Sequence, residues 1–99
     1  MNKLELLNEI NRLENYWYGY KACLDKFKKE SGRLLQQGVS GTLMATYRQA
    51  LYLFQKGIKD IEYLRKLSES MENYNEIHHA VHIARFNEAN AEEFMQQLN

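Results

Sequence analysis

The chain has 99 residues, no proline, a single cysteine, and thirteen Lys/Arg balanced by thirteen Asp/Glu. That length supports one domain with a small core and excludes two. Without proline, nothing but glycine breaks helices, so the class is all-α; the balanced charge argues against a strongly basic nucleic-acid binder, and one cysteine excludes an internal disulfide.

The first predicted element is a helix over about residues 3–37. Leu6, Ile10, Leu13, Trp17, Tyr20, Leu24, Phe27, Ser31 and Leu34 alternate by four and three, a heptad seam that winds along a partner helix rather than lying on a broad core. The opening MNKLELLNEI places acidic residues inside its apolar spacing, which argues against a cleaved signal peptide. Charges also recur before about 18 apolar residues accumulate, so no membrane span is expected. A cytoplasmic location follows as the expectation, with non-classical secretion as the variant. Cys23, one residue off the seam, reads as a partly buried small hydrophobe. Gly19 costs about 1 kcal/mol relative to alanine in a helix interior, so a close helix contact is expected there.

A turn is expected at 38–41, with Gly38 ending the first helix in a left-handed conformation and Ser40 capping the next. The second helix, about 42–70, carries Leu43 or Met44, then Tyr47, Leu51, Phe54, Ile58, Ile61 and Leu64, and slips register near Leu67 and Met71. Asn73-Tyr-Asn-Glu76 has the form of a capping box, so a break between Ser68 and Asn75 and a third helix over about 74–97 are predicted. The result is a single domain, residues 1–99: a long antiparallel helical hairpin with a third C-terminal helix, three-helix bundle-like. Two long seams in so small a chain leave apolar surface, so an oligomer is expected.

Charge is unevenly spread: residues 1–66 hold twelve Lys/Arg against seven Asp/Glu, and residues 67–99 hold one against six. The third helix is rich in apolar residues, so it is expected to dock on the hairpin rather than to trail as a tail. Docking would cover Ile77, Val81, Phe86 and Phe94, with ion pairs to Lys56, Lys59 or Lys66 as the smaller contribution.

Gly41 is followed six residues later by Tyr47 and seven further on by Phe54, in a chain of about 100 residues with its turn near position 40. This resembles the Trp-x-Gly helical-hairpin proteins of type VII secretion systems, over about residues 3–74. Val39 stands where that family has its turn tryptophan, and the chain's own Trp-x-Gly, Trp17-Tyr-Gly19, falls inside the first helix. The resemblance implies a protein whose work is pairing with another helical chain.

Two sets of residues offer other chemistry. Arg48, Tyr52, Lys56, Lys59, Tyr63 and Lys66 recur at helical spacing, with Tyr18 and Lys21 as neighbours from the first helix. Cations interleaved with tyrosines can hold phosphates while rings stack on bases, which gives an anionic-ligand or nucleotide-binding alternative. Glu76, His78, His79 and His82 sit at spacings that share a helix face and can chelate a metal ion. Bundle di-iron sites need two Glu-x-x-His motifs, however, and one is present. No cofactor is expected. No nucleophile with a base and oxyanion site, and no phosphate-cradling loop, can be read from the chain, so the expectation is a non-enzyme. The leading reading is a small interaction protein that pairs with itself or with another helical chain.

Overall fold

A computed structural model describes residues 1–36 and 41–98, with the backbone alone described at 31, 33–36, 42, 43, 97 and 98. It contains three helices, α1 (Lys3–Gln36), α2 (Gly41–Ser70) and α3 (Tyr74–Leu98), and no strand among the described residues. They form a rod 54 Å long and 19 by 18 Å across. The expected turn, with Gly38 and Ser40, lies outside the described residues, except for Gly41, which is the first residue of α2.

Local chemistry sets the helix ends. The Asn2 side chain accepts from the Glu5 amide at 2.8 Å and opens α1. Asn73 does the same for α3, accepting from the Glu76 amide at 3.1 Å. Only this half of the capping box forms, because the Glu76 carboxylate is taken by the Tyr63 hydroxyl of α2. Between α2 and α3 the chain turns at Met71, which has φ 54°. That left-handed conformation costs a non-glycine residue roughly 1–2 kcal/mol, and Met71 is held in it by packing against the core.

The seam of α1 is buried from Leu6 through Ile10, Leu13, Trp17 and Tyr20 to Leu24, and Phe27 is half-buried. On α2 the midline runs through Ala50, Leu53, Gly57, Ile61, Leu64 and Ser68. Tyr47, Leu51, Phe54 and Ile58, expected on that midline, are half-buried at its side. The cause is that α2 packs against both other helices, and small residues on its centre line let the larger ones spread to either flank. Gly57 shows this most clearly: a Cβ built there would fall within 3 Å of three atoms of the Trp17 indole. The ring lies on the α2 backbone and is closed in by Tyr16, Tyr20 and Phe54 at centroid distances of 5.3, 5.1 and 6.3 Å. The close approach expected at Gly19 is absent, since that residue is exposed with nothing within 4 Å of a built Cβ.

Small residues seat α3 as well: Ala80, Ala84 and Ala91 are buried together with Ile77 and Val81. Phe86 was expected to be covered on docking, yet it is 62% exposed, and Ile83 is 40% exposed. At about 100° per residue, Phe86 is turned some 160° from Ala84 and points away from the hairpin. Against α1, α3 runs parallel in one register. Glu9 meets Arg85, Arg12 meets Glu88, and Tyr16 meets Glu92, each pair separated by 76 residues. The expected pairing of acidic α3 with Lys56, Lys59 or Lys66 is replaced by this ladder to α1 and by Tyr63 with Glu76. The same register brings Leu98 level with Ala22, so among the described residues α1 and α2 extend past the end of α3.

Candidate functional site

The polar ladder is the most charged part of the interior. Glu9, 9% exposed, accepts from Arg12 Nε at 3.2 Å, Arg12 Nη2 at 2.8 Å and Arg85 Nε at 3.0 Å. Arg12 also reaches Glu88 with two bonds of 2.7 and 3.0 Å. The Arg12 hydrogen bond, more than burial, governs Glu9 and holds its carboxyl at about 2, below the ordinary 4.5. Because the folded value is depressed, the stabilisation is complete above about pH 4.5 and disappears as pH falls toward 2. The shift corresponds to about 3 kcal/mol at most. Arg12 and Arg85 are half-exposed, so about 1–2 kcal/mol is expected after solvent screening. Urea melts from pH 6 to pH 2.5 should show that loss in wild type and a flatter profile in Glu9→Gln. Equal slopes would remove Glu9 as the acid-sensitive group.

The residues singled out in the sequence divide among different surfaces. Lys59 and Tyr63 of α2 meet Glu76 and His79 of α3 along an open groove of about 460 Å³, walled also by Asp60, Ala80 and Ile83. Burial raises the Asp60 carboxyl, and the 2.7 Å bond from Asn87 Nδ2 partly offsets it. The bond to Glu76 raises the Tyr63 phenol. Lys56 lies over the Tyr52 ring, 5.6 Å from its centroid. Arg48 and Lys66 are exposed. His79 lines the groove, whereas His78 and His82 are exposed outside it, and no group of three or more His, Cys, Asp or Glu among the described residues is placed to hold a metal ion. Cys23 is exposed rather than partly buried. It lines a second cleft of about 350 Å³ between α1 and α3 with Gly19, Glu92 and Met95.

Tyr18 and Lys21 belong to another face. On α1, Glu9, Arg12 and Tyr16 mark the flank that reaches α3; at about 100° per residue, Tyr18, Lys21 and Lys28 lie roughly 120–200° away from Tyr16. On α2, Asp60 and Tyr63 mark the flank toward α3, and Tyr47, Leu51 and Ile58 lie roughly 140–200° from Asp60. The two far flanks meet each other, since Arg65 of α2 binds Glu14 of α1 across them. The hairpin therefore has a long side opposite α3 on which Leu7 is 39% and Tyr18 59% exposed, beside the half-buried Tyr47, Leu51 and Ile58. The sequence alone does not assemble this face: its α2 residues share the heptad spacing of the seam, and Leu7 falls outside every pattern.

No helix among the described residues is long and apolar enough to cross a membrane. Compared with protein-family models, with curated proteins and with solved structures, the chain matches none.

Proposed function

We propose that this protein is a non-catalytic helical interaction module whose working surface is the side of the α1/α2 hairpin turned away from α3. The observation that carries this reading is the exposure of Tyr18 on the same side as the half-buried Ile58, Leu51 and Tyr47, with Leu7 farther along that side beyond the Glu14–Arg65 ion pair, on a face that no other helix among the described residues covers. One helix already lies on the opposite side of the same hairpin, so a further helix on this side would complete a four-helix arrangement by the same packing rules. The resemblance to the Trp-x-Gly hairpin proteins points the same way, because it implies work done by pairing with another helical chain. The anionic-ligand alternative is weaker. Lys59 shares its groove with the carboxylates of Asp60 and Glu76, and the Tyr63 hydroxyl is already bonded to Glu76.

Cross-linking inside the native cell tests the proposal. The wild-type chain should be recovered in a complex of defined stoichiometry containing at least two chains. The double variant Leu7→Glu/Tyr18→Glu, altered only at exposed positions, should fold normally and lose that complex. Recovery of wild type as a lone 11.8 kDa chain, or an unchanged complex in the variant, would overturn the assignment of this face.

A further inference from the structure

Charge is split along the rod. Residues 21–50 hold six Lys/Arg against two Asp/Glu, and the rest of the chain holds seven against eleven. On the side opposite α3, the apolar row of Tyr47 and Leu51 is bordered by Lys21 and Lys28 on the α1 edge, with Asp25 of the same flank between them, and by Arg48 on the α2 edge, three cations against one carboxylate, all exposed. An apolar row between two cationic edges is complementary to a helix with an apolar stripe bordered by carboxylates. The chain itself shows what such a helix looks like. Its own α3 seats Ile77, Ala84 and Ala91 on the hairpin and directs Glu88 to Arg12 and Glu92 to Tyr16 at the edge of that seat.

A second copy seated row on row is a poor occupant. Phe27 stacks on Tyr47, so two-fold pairing centred on Tyr47 and Leu51 would set Lys21 and Lys28 of one copy against those of the other. Parallel pairing would set the whole cationic segment against itself. Like charges brought together at an interface oppose association.

We infer that this face binds an acidic amphipathic helix of a different protein, seated on Tyr47 and Leu51 with its carboxylates on Lys21, Lys28 and Arg48. The inference rests on the interaction-module reading and adds the chemistry of the partner.

A synthetic peptide of residues 74–98 serves as the probe, because it is acidic, amphipathic and of known seating. Titrated into the isotopically labelled full-length protein, it should bind saturably and shift the resonances of Tyr18, Tyr47 and Leu51 while those of Ile77 and Ala84 in the resident α3 stay in place. Affinity should fall about tenfold or more in Lys21→Glu/Lys28→Glu and with added salt. A peptide carrying Glu88→Lys, Glu92→Lys and Glu93→Lys should bind far more weakly. Absence of saturable binding, equal binding of the charge-inverted peptide, or shifts confined to the seat of α3 would each overturn the inference. Light scattering of the purified chain separates the two levels. A wild-type dimer that Leu7→Glu/Tyr18→Glu abolishes would overturn the foreign-helix assignment and leave the interaction-module reading standing, whereas recovery of the wild-type chain alone from the cell would remove both.

Discussion

Gly57→Val should be the most damaging single substitution in the helix pair, lowering stability by about 3 kcal/mol or more, and Gly57→Ala should lower it by about 1–3 kcal/mol. The sign is the informative part. In an exposed helix interior, replacing glycine by alanine stabilises by about 1 kcal/mol, because alanine loses less backbone entropy. At Gly57 the new methyl group would occupy the space of the Trp17 indole. The ring has no route of retreat, since Trp17 is 1% exposed and is surrounded by Tyr16, Tyr20 and Phe54. Relief requires α1 and α2 to separate, which disturbs packing along the seam on both sides of the contact. Gly19→Ala is the matched control, because that glycine is helical and exposed with open space around it. Urea melts of the three variants decide the matter: Gly57→Ala must be less stable than wild type while Gly19→Ala is at least as stable. If the two alanine variants gain stability together, Trp17 does not lie on the α2 backbone.

The same contact shows where reading the sequence succeeds and where it stops. The α1 seam was legible because Leu6 to Leu24 include large side chains on a helix that packs mainly against α2, and periodicity records that situation directly. The start of α3 was legible because Asn73 acts locally, through its own backbone three residues on. The midline of α2 was legible only at Ile61 and Leu64, because Ala50 and Gly57 carry little hydrophobic signal and a helix packed on two sides has a blurred period. The outward turn of Phe86 follows from how α3 rotates to seat Ala80, Ala84 and Ala91, a choice that depends on the shape of the hairpin. Likewise, nothing in the sequence marks Glu9, Arg12 and Tyr16 as partners of Arg85, Glu88 and Glu92. That pairing requires the register of two parallel helices joined through a third. The candidate face suffered most, since it is defined by where α3 does not lie.

Packing rather than charge should hold α3 in place, and three substitutions rank the contributions. Ile77→Ala removes a side chain that is 1% exposed at the start of the helix, and a loss of about 2–5 kcal/mol is expected from the transfer and cavity effects together. Replacing Glu88, Glu92 and Glu93 by glutamine removes the Arg12 pair and weakens the acceptor for Tyr16. Arg12 still has Glu9, however, and is itself 48% exposed, so the loss should be about 1–2 kcal/mol and should shrink as salt is added. Phe86→Ala should change stability by no more than about 0.5 kcal/mol, because a ring 62% exposed leaves no cavity when it is removed. Denaturant melts at low and high salt give all three values. The order Ile77→Ala, then the triple glutamine variant, then Phe86→Ala follows from a helix seated on its small buried residues. A triple variant less stable than Ile77→Ala would mean instead that the ladder to α1 carries the docking, and that α3 can be released from the hairpin by salt or by a competing anion. A large loss in Phe86→Ala would mean that this ring is covered in solution, which would place a second contact surface on the outer side of α3.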